Sequence, residues 1–119
     1  MTRPHLKILL CEDDFEVADS LAYILRMHGQ IVTITHDGET AVQCAAKESF
    51  DIAFLDILLP GMNGVDCFVA LKKLNSVKAI HLMTGYAGSD LIKQAEREGI
   101  KAIMRKPVRP EDVLACLTA

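Results

Sequence analysis

Five short apolar segments alternate with amphipathic segments along the chain, and this alternation limits the fold more than any other feature of the sequence. The apolar segments are Leu6–Cys11, Ile31–Thr35, Ile52–Leu55, Ala79–Met83 and Lys101–Met104. Short apolar runs are typical of strands buried on both faces, and strands that alternate with helices form a parallel sheet. The pattern predicts a single three-layer α/β domain, in which five helices flank a five-stranded parallel sheet.

The helices are indicated by apolar residues at helical spacing. After the first predicted strand, Val17, Leu21, Ile24 and Leu25 have the i, i+4, i+7, i+8 spacing of an apolar helix face, and Gly29 is placed to end that helix. A proline suits the first turn of a helix, so Pro110 predicts the start of the last one.

Length and charge exclude several classes of protein. The 119 residues suit one domain spanning 1–119, and the sequence leaves open whether an output domain follows Ala119. A net charge of −3 provides no broad positive field, so we expect this segment not to bind nucleic acid. No apolar run reaches the roughly 18 residues of a membrane-spanning helix, and the first residues do not resemble a signal peptide. We therefore expect a cytoplasmic protein without a membrane partner.

Cysteines and histidines show no spacing that is typical of a disulfide framework or a zinc site. The cysteines are Cys11, Cys44, Cys67 and Cys116, and the histidines are His5, His28, His36 and His81. Reduced cysteine in an apolar segment behaves as a small core residue, which is the better interpretation here.

Reactive or ion-binding side chains follow four of the five predicted strands. Glu12-Asp13-Asp14 follows the first strand, Asp56 the third, Thr84 the fourth and Lys106 the fifth. Parallel strands end at the same edge of a sheet, and open α/β sheets bind ligands at that edge. We therefore expect these side chains to converge on one site.

Carboxylates grouped in this way suit a divalent cation. Hard oxygen ligands favour Mg²⁺, which takes few protein ligands and keeps several waters. With a cation and an amine nearby, Asp56 could act as a nucleophile towards phosphorus, while Lys106 and Thr84 contact the phosphoryl oxygens. The plainer interpretations are that Asp13 or Asp14 caps a helix and that Asp56 is solvated.

In these residues the chain resembles the receiver domain of two-component response regulators, the chemotaxis-regulator-like fold. The similarity lies in the segments ILLCEDD, DIAFLDILLPGMNG, LMTGYAG and IMRKPV, in that order over nearly the whole chain. It implies a flavodoxin-like doubly wound sheet of order 2-1-3-4-5. It also implies transfer of a phosphoryl group from a sensor histidine kinase or phosphotransfer protein to the chain itself, so that the protein is a switch rather than an enzyme acting on other substrates.

The resemblance also implies a role for each site residue. Asp56 is the phosphoacceptor and a Mg²⁺ ligand, Asp13 a direct ligand, Glu12 a ligand through water, and Leu58 a ligand through its backbone carbonyl. Thr84 and Lys106 bind the phosphoryl group, and the peptide bond before Pro107 is cis. Phosphorylation is expected to change the surface of the fourth helix, fifth strand and fifth helix, where an output domain, another protein or a second copy could bind.

The chain departs from the family pattern at several positions. Ile103 stands where an aromatic switch residue is common, and Glu12 replaces the commoner Asp. Leu58 and Tyr86, two residues after Asp56 and Thr84, are poorly suited to orient an attacking water, which predicts a slowly hydrolysing phosphoaspartate.

Three other functions share part of this pattern. A phosphatase of the haloacid dehalogenase type also uses an Asp nucleophile, but it needs a second acid where this chain has Leu58. A flavin- or nucleotide-binding module is disfavoured by the acidic first turn. An unphosphorylated interaction module is disfavoured by the complete set of acids, Thr84 and Lys106, and Ile103 keeps it open.

Overall fold

The structure of the protein, a computed structural model, describes residues 4–85 and 90–117. Strands and helices alternate along the chain as β1 (Lys7–Cys11), α1 (Phe15–Met27), β2 (Ile31–Thr35), α2 (Gly38–Lys47), β3 (Phe50–Asp56), α3 (Gly64–Leu74), β4 (Val77–Thr84), α4 (Asp90–Arg97), β5 (Ile103–Arg105) and α5 (Pro110–Ala115). The strands pair in parallel in the order β2-β1-β3-β4-β5. This arrangement confirms the predicted fold and the strand order that the resemblance implies.

The sheet separates two apolar layers, because alternate residues of each strand face opposite sides. Leu9, Ala53 and Leu55 pack with α2 and α3 on one side. Leu10 and Phe54 pack with α1 and α5 on the other side. With helices covering both faces, the edge of the sheet at the carboxyl ends of the strands is where side chains can meet a ligand.

The third and fourth strands begin earlier than the apolar runs suggest. β3 includes Phe50 and Asp51, and β4 begins at Val77. Asp51 fits at a strand start because its carboxylate accepts a hydrogen bond of 2.8 Å from the backbone of Lys7 and pairs with Lys78 at 3.5 Å. Polar residues at the amino end of the sheet are held by polar partners. A hydrophobicity pattern therefore does not indicate where these two strands begin.

The inner face of α1 differs in part from the prediction. Leu21 and Leu25 are buried as expected, but the other buried positions are Ala18 and Ala22, and Val17 is 37% exposed. Val17 and Ile24 instead line an open groove of about 660 Å³, together with Leu21, Met83, Pro107 and Val108. Small alanines allow the helix to approach the sheet closely, and a pattern of large apolar residues does not indicate them.

Turns at both ends of α1 follow the sequence signals. The carboxylate of Asp14 accepts hydrogen bonds from the backbone of Glu16 and Val17 and so caps the helix. Gly29, with φ of +83°, follows the C-cap residue His28 and reverses the chain into β2.

None of the helices within residues 4–85 and 90–117 combines the length and the apolar character that crossing a bilayer requires.

Candidate functional site

The predicted site residues reach one edge of the sheet because the neighbouring strands end nearly level with one another. Cys11, which precedes Glu12, pairs with Leu55, which precedes Asp56. Asp56 in turn pairs with Met83, and Thr84 pairs with Arg105, the residue before Lys106. The structure therefore brings together the carboxylates, the hydroxyl residue and the amine that follow four different strands.

Three carboxylates form a cluster at this edge. Glu12, Asp13 and Asp56 each offer an oxygen, and these oxygens lie within 4.8 Å of one another. Glu12 is fully buried and Asp56 is 4% exposed, whereas Asp13 is exposed. Like charges at this separation repel, more strongly where water is excluded, and a divalent cation would offset that repulsion. The cluster is therefore suited to a cation that enters from the side of Asp13.

Lys106 places its ammonium group between the two buried acids. Its Nζ lies 2.7 Å from Oδ2 of Asp56 and 2.7 Å from Oε1 of Glu12. The backbone N–H of Lys106 donates to the carbonyl of Thr84 at 2.8 Å, and the Lys106–Pro107 bond is cis, as the resemblance implies. Burial by itself would lower the pKa of Lys106, but hydrogen bonds to the two carboxylates and their charges outweigh it and raise the pKa. The amine is therefore held in its charged form.

Glu12 differs from an ordinary surface carboxylate in its environment. Burial first, and then the nearby Asp56, raise the pKa of Glu12 to about 7, while Lys106 acts in the opposite direction. Oε1 of Glu12 is buried, and the ammonium group of Lys106, 2.7 Å away, is its charged partner. A buried carboxylate oxygen that still has room for a partner suits a site that receives a cation or its water.

The carboxylate of Asp56 is held at both oxygens. Oδ1 accepts a hydrogen bond of 3.1 Å from the backbone N–H of Leu58, and Oδ2 accepts one of 2.7 Å from Lys106. The side chain of Leu58 is 47% exposed. A fixed carboxylate at the end of a buried strand has the orientation that nucleophilic attack requires.

The two acids of the first turn have separate tasks. Asp14 caps α1, so the capping interpretation holds for Asp14. Asp13 is instead the exposed member of the carboxylate cluster. The sequence could not divide these roles, because adjacent acids before a helix have equal capping potential.

Gly64 allows the start of α3 to lie against the backbone of the site. A Cβ at this position would stand 2.3 Å from the carbonyl oxygen of Asp56 and 2.6 Å from Cα of Ile57. The Gly64 N–H donates to the carbonyl of Ile57 at 2.8 Å. Only glycine fits this approach, which fixes the loop that follows Asp56.

Sequence reasoning did not detect a stacked pair beside the acidic turn. The rings of Phe15 and His36 stack with centroids 3.7 Å apart, and Nδ1 of His36 lies 2.9 Å from the backbone carbonyl of Glu12. Phe15 is 63% exposed. No sequence signal links residues on different elements in this way, and the pair supports the turn that carries Glu12 and Asp13.

Three further predictions concern Thr84, Ile103 and Tyr86. Thr84 is the last residue of β4 and is 2% exposed, and Ile103 begins β5 and packs in the apolar layer with α4. Tyr86 lies outside the described residues. The roles assigned to Thr84 and to the carbonyl of Leu58 stay predictions.

Comparison with known proteins agrees with this geometry. A family model, the response regulator receiver domain, matches residues 8–118. The chain belongs to the response regulator receiver domain family. Members of this family are signalling switches that interact with histidine kinases or phosphotransfer proteins and generally bind Mg²⁺.

Two curated relatives match most of this chain. The chain is 33% identical over 114 residues to the transcriptional regulatory protein CpxR of Escherichia coli (strain K12), covering 95% of the chain and 48% of CpxR. It is 32% identical over 108 residues to a response regulator receiver protein of Anaeromyxobacter sp. (strain Fw109-5), covering 91% of the chain and 45% of that protein. The chain therefore spans about half the length of these relatives.

Solved structures share the fold. A receiver domain protein (CheY-like) from Methanospirillum hungatei JF-1 superposes with a TM-score of 0.88 at 30% identity, over 94% of this chain and 90% of that chain. A response regulator from Burkholderia pseudomallei, solved with a phosphorylated aspartic acid, calcium ion and citrate, has a TM-score of 0.85 at 28% identity, over 96% of this chain and 67% of that chain.

Proposed function

We propose that this receiver domain is a phosphorylation-controlled switch of a two-component system, with Asp56 as the phosphoacceptor. The observation that supports this most is the carboxylate of Asp56, which is held by the Leu58 N–H and by Lys106 at the edge of a three-carboxylate cluster. The phosphorylated aspartic acid in the related Burkholderia protein agrees with a carboxylate acceptor.

In the proposed reaction an oxygen of Asp56 attacks the phosphorus of a phosphohistidine on the kinase or phosphotransfer protein. An O–P bond forms while the N–P bond of the donor breaks, and the donor histidine keeps the electron pair. The product is an acyl phosphate on Asp56. The chain thus catalyses only its own modification, which is consistent with a switch rather than an enzyme with a separate substrate.

Glu12, Asp13, Asp56 and the backbone carbonyl of Leu58 are the groups that we propose for Mg²⁺. The described carboxylates fit this hard cation because they supply oxygen ligands, one of them exposed and two buried. When bound, the ion supplies positive charge that offsets repulsion between these carboxylates and an incoming phosphoryl group. The protein positions the acceptor, and Lys106 neutralises charge beside it.

The proposed switch depends on a change in the contacts of Lys106 when Asp56 is phosphorylated. Lys106 now pairs with both Glu12 and Asp56, and a phosphoryl group on Asp56 would offer it more negative charge and further acceptor oxygens. We propose that Lys106 and the hydroxyl of Thr84 move to bind that group. Because Thr84 ends β4 and Lys106 follows β5, their movement would shift the equilibrium of the surface formed by α4, β5 and α5.

The partners we propose follow from this surface. A histidine kinase or phosphotransfer protein would donate the phosphoryl group, and the α4–β5–α5 surface would bind a fused output domain, a separate target or a second copy of the chain. We infer a cytoplasmic location because the phosphodonor kinase domains of such systems act there.

An unphosphorylated interaction module is the second candidate function. It is favoured by Ile103, an aliphatic residue packed in the apolar layer with α4, where a ring that rotates on activation is common. An aliphatic side chain has no equivalent ring movement to report phosphorylation.

Phosphorylation by a small donor distinguishes these functions. The chain is incubated with Mg²⁺ and acetyl phosphate, and the intact mass is recorded for wild type and Asp56→Asn. We expect one added phosphoryl group in wild type, dependent on Mg²⁺, and none in the variant. Turnover of many equivalents of donor would favour a phosphatase, and absence of any Mg²⁺-dependent modification or beryllofluoride binding would favour the interaction module.

A further inference from the structure

A thiol, an imidazole and a thioether meet on the α1–α5 side of the sheet, outside the carboxylate cluster. Sγ of Cys116 lies 3.7 Å from Nδ1 of His81 and 4.0 Å from Sδ of Met104. The three residues belong to β4, β5 and the turn at the end of α5. We propose that they form a binding site for the soft cation Cu(I).

The two distances fit coordination by one ion. Metal bonds of about 2.3 Å to sulfur and about 2.0 Å to an imidazole nitrogen, at trigonal angles of about 120°, separate sulfur from nitrogen by about 3.7 Å and two sulfurs by about 4.0 Å. These separations equal those that Cys116 makes with His81 and Met104. Both donor separations at Cys116 therefore match those of a single trigonal ion.

The donor set selects the ion. Thiolate and thioether sulfur favour Cu(I), and imidazole also binds copper, whereas Mg²⁺ prefers oxygen. Structural Zn²⁺ requires four ligands as a rule. The carboxylate of Asp112, four residues before Cys116, already accepts a hydrogen bond of 2.9 Å from the backbone of Arg109. Among the described residues, the carboxylate cluster is the sole group of three or more His, Cys, Asp or Glu side chains close enough to share an ion.

The surroundings suit a low-coordinate ion. All three side chains are half-buried, and Cys116 and Met104 pack against the apolar layer of α1 and α5. The ring of Phe54 lies 5.5 Å from the ring of His81, centroid to centroid. Apolar walls restrict competing water, while partial exposure leaves a path for the ion to enter.

Protonation states are compatible with binding. Burial lowers the pKa of His81, so that its imidazole is neutral near pH 7 and can offer a lone pair. Burial, and then Asp112, raise the pKa of Cys116. On binding, the S–H bond of Cys116 breaks, a Cu–S bond forms, and the proton passes to the buffer, while copper stays in the +1 state.

The test is an anaerobic titration of the full chain with Cu(I) in competition with bicinchoninate. We expect one tightly bound equivalent. Loss of a residue that only supports a metal ligand typically weakens metal binding by roughly 10-fold to 100-fold. Cys116→Ser and Met104→Leu each remove a ligand itself, so each should weaken Cu(I) binding by at least that factor. Cys44→Ser, which removes a half-buried thiol from α2, is the matched control and should leave binding unchanged. X-ray absorption should show two sulfur ligands and one nitrogen ligand.

Equal Cu(I) binding by wild type and Met104→Leu, or loss of binding only in Cys44→Ser, would overturn the proposal. Leucine keeps nearly the volume of methionine and removes only the sulfur donor, so Met104→Leu decides the question even where Cys116→Ser fails to fold. Circular dichroism checks the fold of each variant. Beryllofluoride binding with Mg²⁺ reports on the carboxylate cluster separately and should be the same in Met104→Leu as in wild type.

Discussion

The ammonium group of Lys106 lies 2.7 Å from Oδ2 of Asp56, although 50 residues separate the two in the sequence. The same ammonium group contacts Glu12, whose side chain is fully buried. One cation thus balances two carboxylates that are both removed from water. Loss of that cation leaves the pair uncompensated, which has a measurable cost.

We therefore expect Lys106→Met to lower the free energy of unfolding in Mg²⁺-free buffer by about 2–3 kcal/mol, less than for a fully buried pair because the lysine is partly exposed. Urea denaturation measures the change. Lys78→Met is the control: its side chain is 82% exposed and its pair with Asp51 is 3.5 Å long. A surface pair of this kind contributes at most about 1 kcal/mol. Equal effects of the two substitutions would contradict the role assigned to Lys106.

Asp13→Asn and Asp14→Asn each remove one negative charge, at adjacent positions, and so can be compared directly. Asp13→Asn removes a carboxylate from the cluster, so we expect higher stability without Mg²⁺ and little further stabilisation when Mg²⁺ is added. Wild type should gain about 1.4 kcal/mol at a Mg²⁺ concentration tenfold above its Kd.

Asp14→Asn removes the same charge one residue away while keeping an oxygen that can cap α1. It should retain the Mg²⁺ response. Thermal unfolding at several Mg²⁺ concentrations separates the variants, and a lost response in Asp14→Asn alone would place the cation elsewhere.

Gly64 gives a test of the loop after Asp56. A methyl group here would meet backbone atoms at 2.3 and 2.6 Å, so Gly64→Ala must displace α3 or the strand end. We expect a loss of about 1–3 kcal/mol in stability, typical of overpacking, and slower phosphorylation by acetyl phosphate. Among the atoms of residues 4–85 and 90–117, a Cβ on Gly85 would meet nothing within 4 Å, and Gly85→Ala should change stability little. Similar losses for the two variants would show that the close approach at Gly64 is unimportant.

The sequence pattern predicts the alternation of parallel strands with helices and the edge of the sheet at which the side chains of Glu12, Asp56 and Thr84 lie. Apolar runs between amphipathic segments define parallel strands, and side chains after Cys11, Leu55 and Met83 must then reach the same edge. These features depend on the hydrophobicity of single residues, which can be read directly from the sequence.

Contacts between distant side chains could not be predicted in the same way. The contact of Lys106 with both Glu12 and Asp56 depends on the rotamers of the three side chains and on how far water is excluded from the two carboxylates. The meeting of His81 with Cys116, 35 residues apart, depends on how α5 lies on the sheet. The spacing patterns of metal ligands apply to residues within one short segment of the chain. They therefore do not indicate a site formed by His81, Met104 and Cys116, which lie in different segments.

Thiol reactivity tests the burial of the cysteines. Burial raises the pKa of Cys11 to about 11 and that of Cys67 to about 12, and both side chains are fully buried. A raised thiol pKa leaves little of the reactive thiolate at pH 8. We expect iodoacetamide to label the half-buried Cys44 first and Cys116 more slowly, and to reach Cys11 and Cys67 only on unfolding. Mass spectrometry of peptides identifies the order. Labelling of Cys11 in the native protein at the rate of Cys44 would contradict the structure.

Leu58 determines the lifetime of the phosphorylated state in our proposal. Its backbone N–H holds Oδ1 of Asp56, and its side chain is 47% exposed beside that carboxylate, where it offers no hydrogen bond to an attacking water. An amide at this position could orient such a water, so Leu58→Asn should accelerate loss of the phosphoryl group by about tenfold.

The decay is followed by intact mass after acetyl phosphate is removed. Leu74→Asn is the matched control, because Leu74 is a similarly exposed leucine, at 40%, that ends α3 rather than following Asp56. We expect its decay to match that of wild type. Because the Leu58 N–H is a backbone group, it is kept in Leu58→Asn, and a faster rate would report the side chain alone. An unchanged rate in Leu58→Asn would mean that water reaches the phosphoaspartate without help from this position.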